Sequence, residues 1–140
     1  MSQALLPVLT LVLGNLLGYL FAVRQIRRRV AAEKRVEFAA RFVAYAYENL
    51  GYLIKGKQNE AATRMAEFSI LGQQTGFFVT DGAAKAIDDL TAQFASGVLY
   101  LGVASQGITM PGSPRDVWGE YKKQLEAVRV ALQKEVEAHK

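Results

Sequence analysis

Of the side chains that most often bind metals or shuttle protons, this chain has one histidine, no cysteine and thirteen carboxylates. His139 stands next to the C-terminal residue, where chains fray, so a histidine-centred triad or proton shuttle has no credible centre. Asp88 and Asp89 are neighbours, and on a helix they point about 100° apart, which prevents them from clamping one metal ion and makes them a solvated face with Lys85. Val103-Ala104-Ser105-Gln106-Gly107 lacks the first glycine of a nucleophile elbow, and no glycine-rich phosphate loop occurs. The expectation is therefore no catalytic residue, no metal, no cofactor, no small-molecule substrate and no enzyme activity.

What the chain does carry is a pattern at its start. No charged side chain occurs from Met1 to Val23, and Arg24, Arg27, Arg28 and Arg29 follow at once. Ala4–Val23 has the ~20 apolar residues needed to cross a ~30 Å hydrocarbon core. Tyr19 and Phe21 lie at the arginine end, where aromatic rings suit the interface. A cleaved signal peptide fits less well, because the basic residues follow the apolar run instead of preceding it. The positive-inside rule then predicts an N-terminus outside the cytoplasm and residues 24–140 within it. The competing reading is the buried central helix of a soluble protein.

Charge supports the same division. The net charge is +4, yet residues 24–41 alone carry +5 and the remainder −1. The basic character is juxtamembrane, which points to anionic lipid headgroups, at about 1 kcal/mol per basic residue near the surface, and away from nucleic acid. At 51% hydrophobic and 21% charged, the composition is that of a folded chain. The absence of cysteine excludes disulfides and thiolate metal sites.

Inside the span, Thr10, Gly14, Gly18 and Ala22 recur every four residues, with Asn15 beside them, and Gly14–Gly18 is a GxxxG. Such a stripe lets two backbones approach closely, predicting a homo-oligomer or a partner membrane protein; the alternative is that glycine is simply common in membrane helices.

No Gly or Pro lies between Tyr19 and Leu50, so the span should continue as a stalk without a break. Val36, Val43 and Leu50, spaced by seven, with Ala39, Ala46 and Leu53 at the intermediate positions and Ala40, Tyr47 and Ile54 flanking, make a helix-packing seam of about three repeats. It predicts packing on the chain's own domain ahead of a coiled coil. Further along, Glu60–Leu71 reads as a helix with Ala61, Met65 and Phe68 inside and Arg64 and Glu67 outside. Gly72–Gly76 (GQQTG) should interrupt it, and Phe77-Phe78-Val79 should be a loop plugging the core. Thr80 should cap a helix to about Ala95 with Ala83, Ile87, Leu90 and Phe94 inside. The 24 uncharged residues Thr91–Pro114 are too diluted by glycine and polar groups for a second span, and Val98–Leu101 fits helix or strand. Met110-Pro111-Gly112 reads as a loop, and Ser113-Pro114-Arg115-Asp116 opens the last helix, with a Tyr121, Leu125, Val128, Leu132 stripe and a Lys122–Glu126 pair.

The fold class expected is all-α: an N-terminal transmembrane helix continuing into a long amphipathic helix that packs with about three further helices as a small bundle. The divisions are a 1–23 anchor, a 24–35 basic stalk and a 36–140 cytoplasmic domain. This order, with Thr80-Asp81 opening the second arm of a helical hairpin and Val117-Trp118-Gly119-Glu120-Tyr121 leading a final helix, resembles small bacterial single-pass inner-membrane proteins with a cytoplasmic helical domain. That resemblance implies an anchored helical protein and transfers no functional residue. The function expected is a non-catalytic scaffold, adaptor or accessory subunit; the alternative is a membrane-active effector that lyses cells or inhibits growth.

Overall fold

The computed structural model describes residues 2–108 and 114–138. These form four α-helices and no strand among the described residues: α1 (Ser2–Ile54), α2 (Gln58–Gly76), α3 (Asp81–Ser105) and α4 (Pro114–Ala138). The fold class is the all-α one expected from the sequence. α1 is uninterrupted, as the lack of breakers between Tyr19 and Leu50 predicts, and Pro7 lies inside it without ending it. By its contacts the chain divides into two compact units, Met1–Glu33 and Lys34–Lys140. The first is helix alone.

The second unit is a bundle made by the C-terminal part of α1 with α2, α3 and α4. Each helix contributes one aromatic ring to a connected column. Phe42 of α1 stacks on Phe68 of α2 at 4.9 Å, Phe68 meets Phe94 of α3 edge-on at 5.4 Å, and Phe94 tilts against Tyr121 of α4 at 5.9 Å. All four side chains are buried. Aromatic pairs in such geometries contribute about 0.5–1.5 kcal/mol each beyond the area they remove from water.

That column sets the register of α1. Its buried positions are Ala39, Phe42, Ala46, Asn49 and Leu53, at alternating spacings of three and four. Val43 and Leu50 are half-buried at the margin of this face, while Val36 and Tyr47 are exposed. The packing face is thus turned toward Phe42 and Asn49, because a large ring seated among Phe68 and its neighbours outweighs β-branched valines at the edge.

The GQQTG segment does not interrupt α2. Gly72 and Thr75 are buried helical residues. A Cβ at Gly72 would stand 3.1 Å from Ile87 Cγ2 and 3.2 Å from Thr91 Cγ2, so this glycine permits close approach of α3. Thr75 returns its hydroxyl to Leu71 O at 2.8 Å, which satisfies it inside the helix. The following turn is divided: Val79 packs on the core and Phe78 stacks on Phe38, whereas Phe77 points out.

α3 also runs past the expected Ala95, to Ser105, so Val98–Leu101 is helical. Gly97 faces Leu53, whose Cδ2 lies 3.1 Å from where a Cβ would be. On α4 the expected stripe of Tyr121, Leu125, Val128 and Leu132 is buried. Glu126 pairs with Arg129, its neighbour one turn on, in place of Lys122. The Met110–Gly112 loop, the Ser113 cap and His139 lie outside the described residues.

The α1–α2 connection ends in a doubly bonded C-cap. Gly56 has φ +67°; Lys57 N donates to Tyr52 O at 3.0 Å and Gly56 N to Leu53 O at 3.2 Å. This is the Schellman arrangement, and the left-handed residue favours glycine. A Cβ there meets open space, so the cost of substitution is conformational alone. Gly56→Ala should lower stability by about 1–2 kcal/mol in denaturant unfolding followed by circular dichroism, with helix content unchanged at the start.

Candidate membrane-association surface

In the first unit the apolar side chains from Leu5 to Phe21 are exposed, and none of the 18-residue apolar window is buried. Among the described residues α1 is the one helix long and apolar enough to cross a membrane. Thr10, Gly14, Asn15, Gly18 and Ala22 are all helical and exposed. A Cβ added at Gly14 or Gly18 would have no neighbour within 4 Å, so a second backbone can approach both positions. Thr10 bonds Leu6 O at 2.8 Å through its hydroxyl, which leaves a compact methyl-bearing surface. Arg24, Arg27, Arg28 and Arg29 are exposed beyond this run.

The second unit holds its own polar constellation, which the sequence reading placed differently. Arg64, expected outside, is largely covered, its side chain keeping 18% of its accessible surface. Its guanidinium lies 3.8 Å from the Tyr45 ring centroid and 5.1 Å from that of Tyr52. Arg64 Nε donates to Asn49 Oδ1 at 2.6 Å and Nη2 to Glu48 Oε2 at 2.8 Å. Tyr45 in turn donates its hydroxyl to Glu67 Oε2 at 3.1 Å. The long side chain therefore folds back across the aromatic faces of α1 and ties α2 to it. The signal was present in the spacing of Tyr45, Asn49 and Tyr52: an asparagine on the inner face of a helix, between two rings, needs a polar partner.

Below this cluster the Tyr121 hydroxyl donates to Ala46 O at 2.6 Å. Burial pushes the Tyr121 phenol well above its ordinary range, while the neighbouring Asn49 amide works in the other direction. The Tyr45 phenol is also raised, first by burial and then by its bond to Glu67. At the opposite end of α4, Glu135 accepts hydrogen bonds from the Thr80 backbone N–H, at 3.1 Å, and from the Thr80 hydroxyl. Thr80 occupies the expected N-cap position of α3, but its hydroxyl turns to Glu135 instead of capping the helix. The Glu135 carboxylate sits where the α3 dipole favours an anion.

These groups are bonded to one another as structural ties. Among the described residues no group of three or more His, Asp or Glu side chains converges as a metal site. The seam residues Val36, Val43, Tyr47, Leu50 and Leu53 run from exposed to buried along α1, with Leu53 alone fully inside. No protein-family model, curated protein or solved structure matches this chain.

Two outcomes follow for this unit. Replacing Arg64 by leucine leaves Asn49 Oδ1 buried without its donor, and should cost about 1–3 kcal/mol in chemical unfolding. Arg64→Lys should recover only part of this, since an ammonium cannot span both acceptors while stacked on a ring. A phenol with a raised pKa in the folded state keeps its proton when the unfolded chain has lost it. Stability is then full below the ordinary tyrosine value of about 10 and falls as pH rises above it, by up to about 1.4 kcal/mol per pH unit for one such group. Tyr121→Phe should flatten that alkaline slope, at the cost of about 1 kcal/mol at neutral pH from the lost bond to Ala46 O.

Proposed function

We propose that this chain is a non-catalytic, membrane-anchored helical scaffold, adaptor or accessory subunit, which self-associates or docks on a partner membrane protein through residues 1–23. The observation that carries this reading is the apolar window of α1, with none of it buried, followed directly by Arg24, Arg27, Arg28 and Arg29. Leaving that much apolar surface in water would cost about 25 cal/mol for every Å², and a bilayer removes the cost. The basic exit favours an N-terminus outside and residues 24–140 in the cytoplasm, and the resemblance to small single-pass proteins makes the membrane the bacterial inner one. The open approach at Gly14 and Gly18 makes the stripe through Thr10, Gly14, Gly18 and Ala22 the association face, with Asn15 beside it to bond across. The bundle, tied internally by Arg64, Tyr121 and Glu135, supplies a folded body for that anchor to hold.

The full chain should sediment with membranes and resist alkaline extraction; recovery in the soluble fraction without detergent overturns the anchor. In mild detergent, the paired substitution Gly14→Leu with Gly18→Leu should weaken self-association by about tenfold or more, read by sedimentation equilibrium. An unchanged oligomer size would show that the stripe plays no part.

A further inference from the structure

We propose that the Phe77–Phe78 turn, with Lys34, is a second membrane contact, which meets an anionic phospholipid surface. It rests on the membrane-anchored reading above. Phe77 is 84% exposed, more than any other large hydrophobic side chain among the described residues, those of the apolar segment included. Its ring stands edge-on to Phe78 at 5.5 Å, Phe78 stacks on Phe38 at 5.5 Å, and Arg35 Nε holds the turn by donating to Phe78 O at 2.7 Å. The turn is therefore a fixed projection. Beside it lies an open apolar depression of about 480 Å³ lined by Lys34, Phe38, Gln73, Gln74, Phe77 and Phe78. A protruding ring, an apolar floor, two amides and the Lys34 ammonium, which stays exposed while pairing with Glu37 at 3.5 Å, are the groups that suit the boundary between acyl chains and headgroups.

The occupant follows from where this face lies in the chain. Lys34 and Phe38 belong to the first residues of the second unit, where the chain arrives from the apolar segment. Ile26 and Val30, four residues apart and both exposed, stand among the arginines, so the boundary region extends along this stretch while the guanidinium groups reach the headgroups. The excess of basic residues over 24–41 complements phosphate charge.

The test uses the full chain carrying Trp118→Phe and Phe77→Trp, reconstituted in phosphatidylcholine–phosphatidylglycerol vesicles that contain brominated lipid. A parallel protein carries Trp118→Phe and Leu13→Trp to report on the anchor. The indole at position 77 should lose about half of its emission to brominated lipid and be shielded from acrylamide. Replacing phosphatidylglycerol by phosphatidylcholine should reduce that loss; equal quenching in both overturns the role given to anionic headgroups. Quenching at position 13 with none at position 77 overturns the contact and leaves the anchor standing. Quenching at neither position overturns the anchor and the contact together. Shielding from acrylamide without quenching by lipid overturns the contact in favour of a protein, such as a second copy, covering the turn.

Discussion

Phe42, Phe68, Phe94 and Tyr121 come one from each helix of the second unit and touch in series. Small bundles bury little surface for the chain entropy they fix, so the few large side chains inside carry a disproportionate share of the stabilisation. The rest of the unit is arranged to let that column close. Gly72 and Gly97 are buried where α2 meets α3 and where α3 meets Leu53 of α1, and each gives up a side chain so that the backbones can come near enough for the rings to meet. The small Ala39, Ala46, Ala61 and Ala83 are buried in α1, α2 and α3 among larger residues such as Leu53, Leu71, Ile87 and Leu90. Large and small residues alternate around one axis, and the helices take their rotation from it.

This also explains which parts of the fold were legible in the sequence. Long stretches without Gly or Pro and the α4 stripe are local signals, and they read correctly as helix and inner face. The GQQTG segment misread because glycine has two uses, as a breaker and as a site of close approach, and only the neighbouring helix decides between them. Val98–Leu101 was open between helix and strand for the same kind of reason: a short apolar run has no period of its own. Heptad spacing puts Val36, Val43 and Leu50 on the α1 seam with Ala39, Ala46 and Leu53 between them; the second set is buried, while the first lies at the margin or outside. Phe42 and Asn49, which are buried, stand one position before Val43 and Leu50, and Phe68 and Arg64 packed against them turn the inner face that way. The small-residue stripe and the arginine exit were legible throughout, since they need no tertiary partner to be recognised.

The polar groups inside the bundle divide into those that stabilise and those that orient. Arg64 over Tyr45 combines ring stacking with a charge-assisted bond to Asn49, and it joins α1 to α2 at a defined height. Glu135 at the start of α3 does the same between α3 and α4 at the other end of the hydrophobic column. Apolar packing alone would tolerate sliding of one helix along another by a turn; directional bonds at two ends do not. That fixity would serve the proposed scaffold role, because a surface presented to a partner is useful only if its parts keep their spacing.

The bond from Tyr121 to Ala46 O joins residues 75 positions apart and brings α4 against α1. On the ribosome these two groups emerge roughly 4–15 s apart at ~5–20 residues per second. Through that interval the inner face of α1, with Phe42 and Leu53, has no α4 to cover it. The nascent chain therefore carries an incomplete apolar groove for seconds, and chaperones have their access to it then.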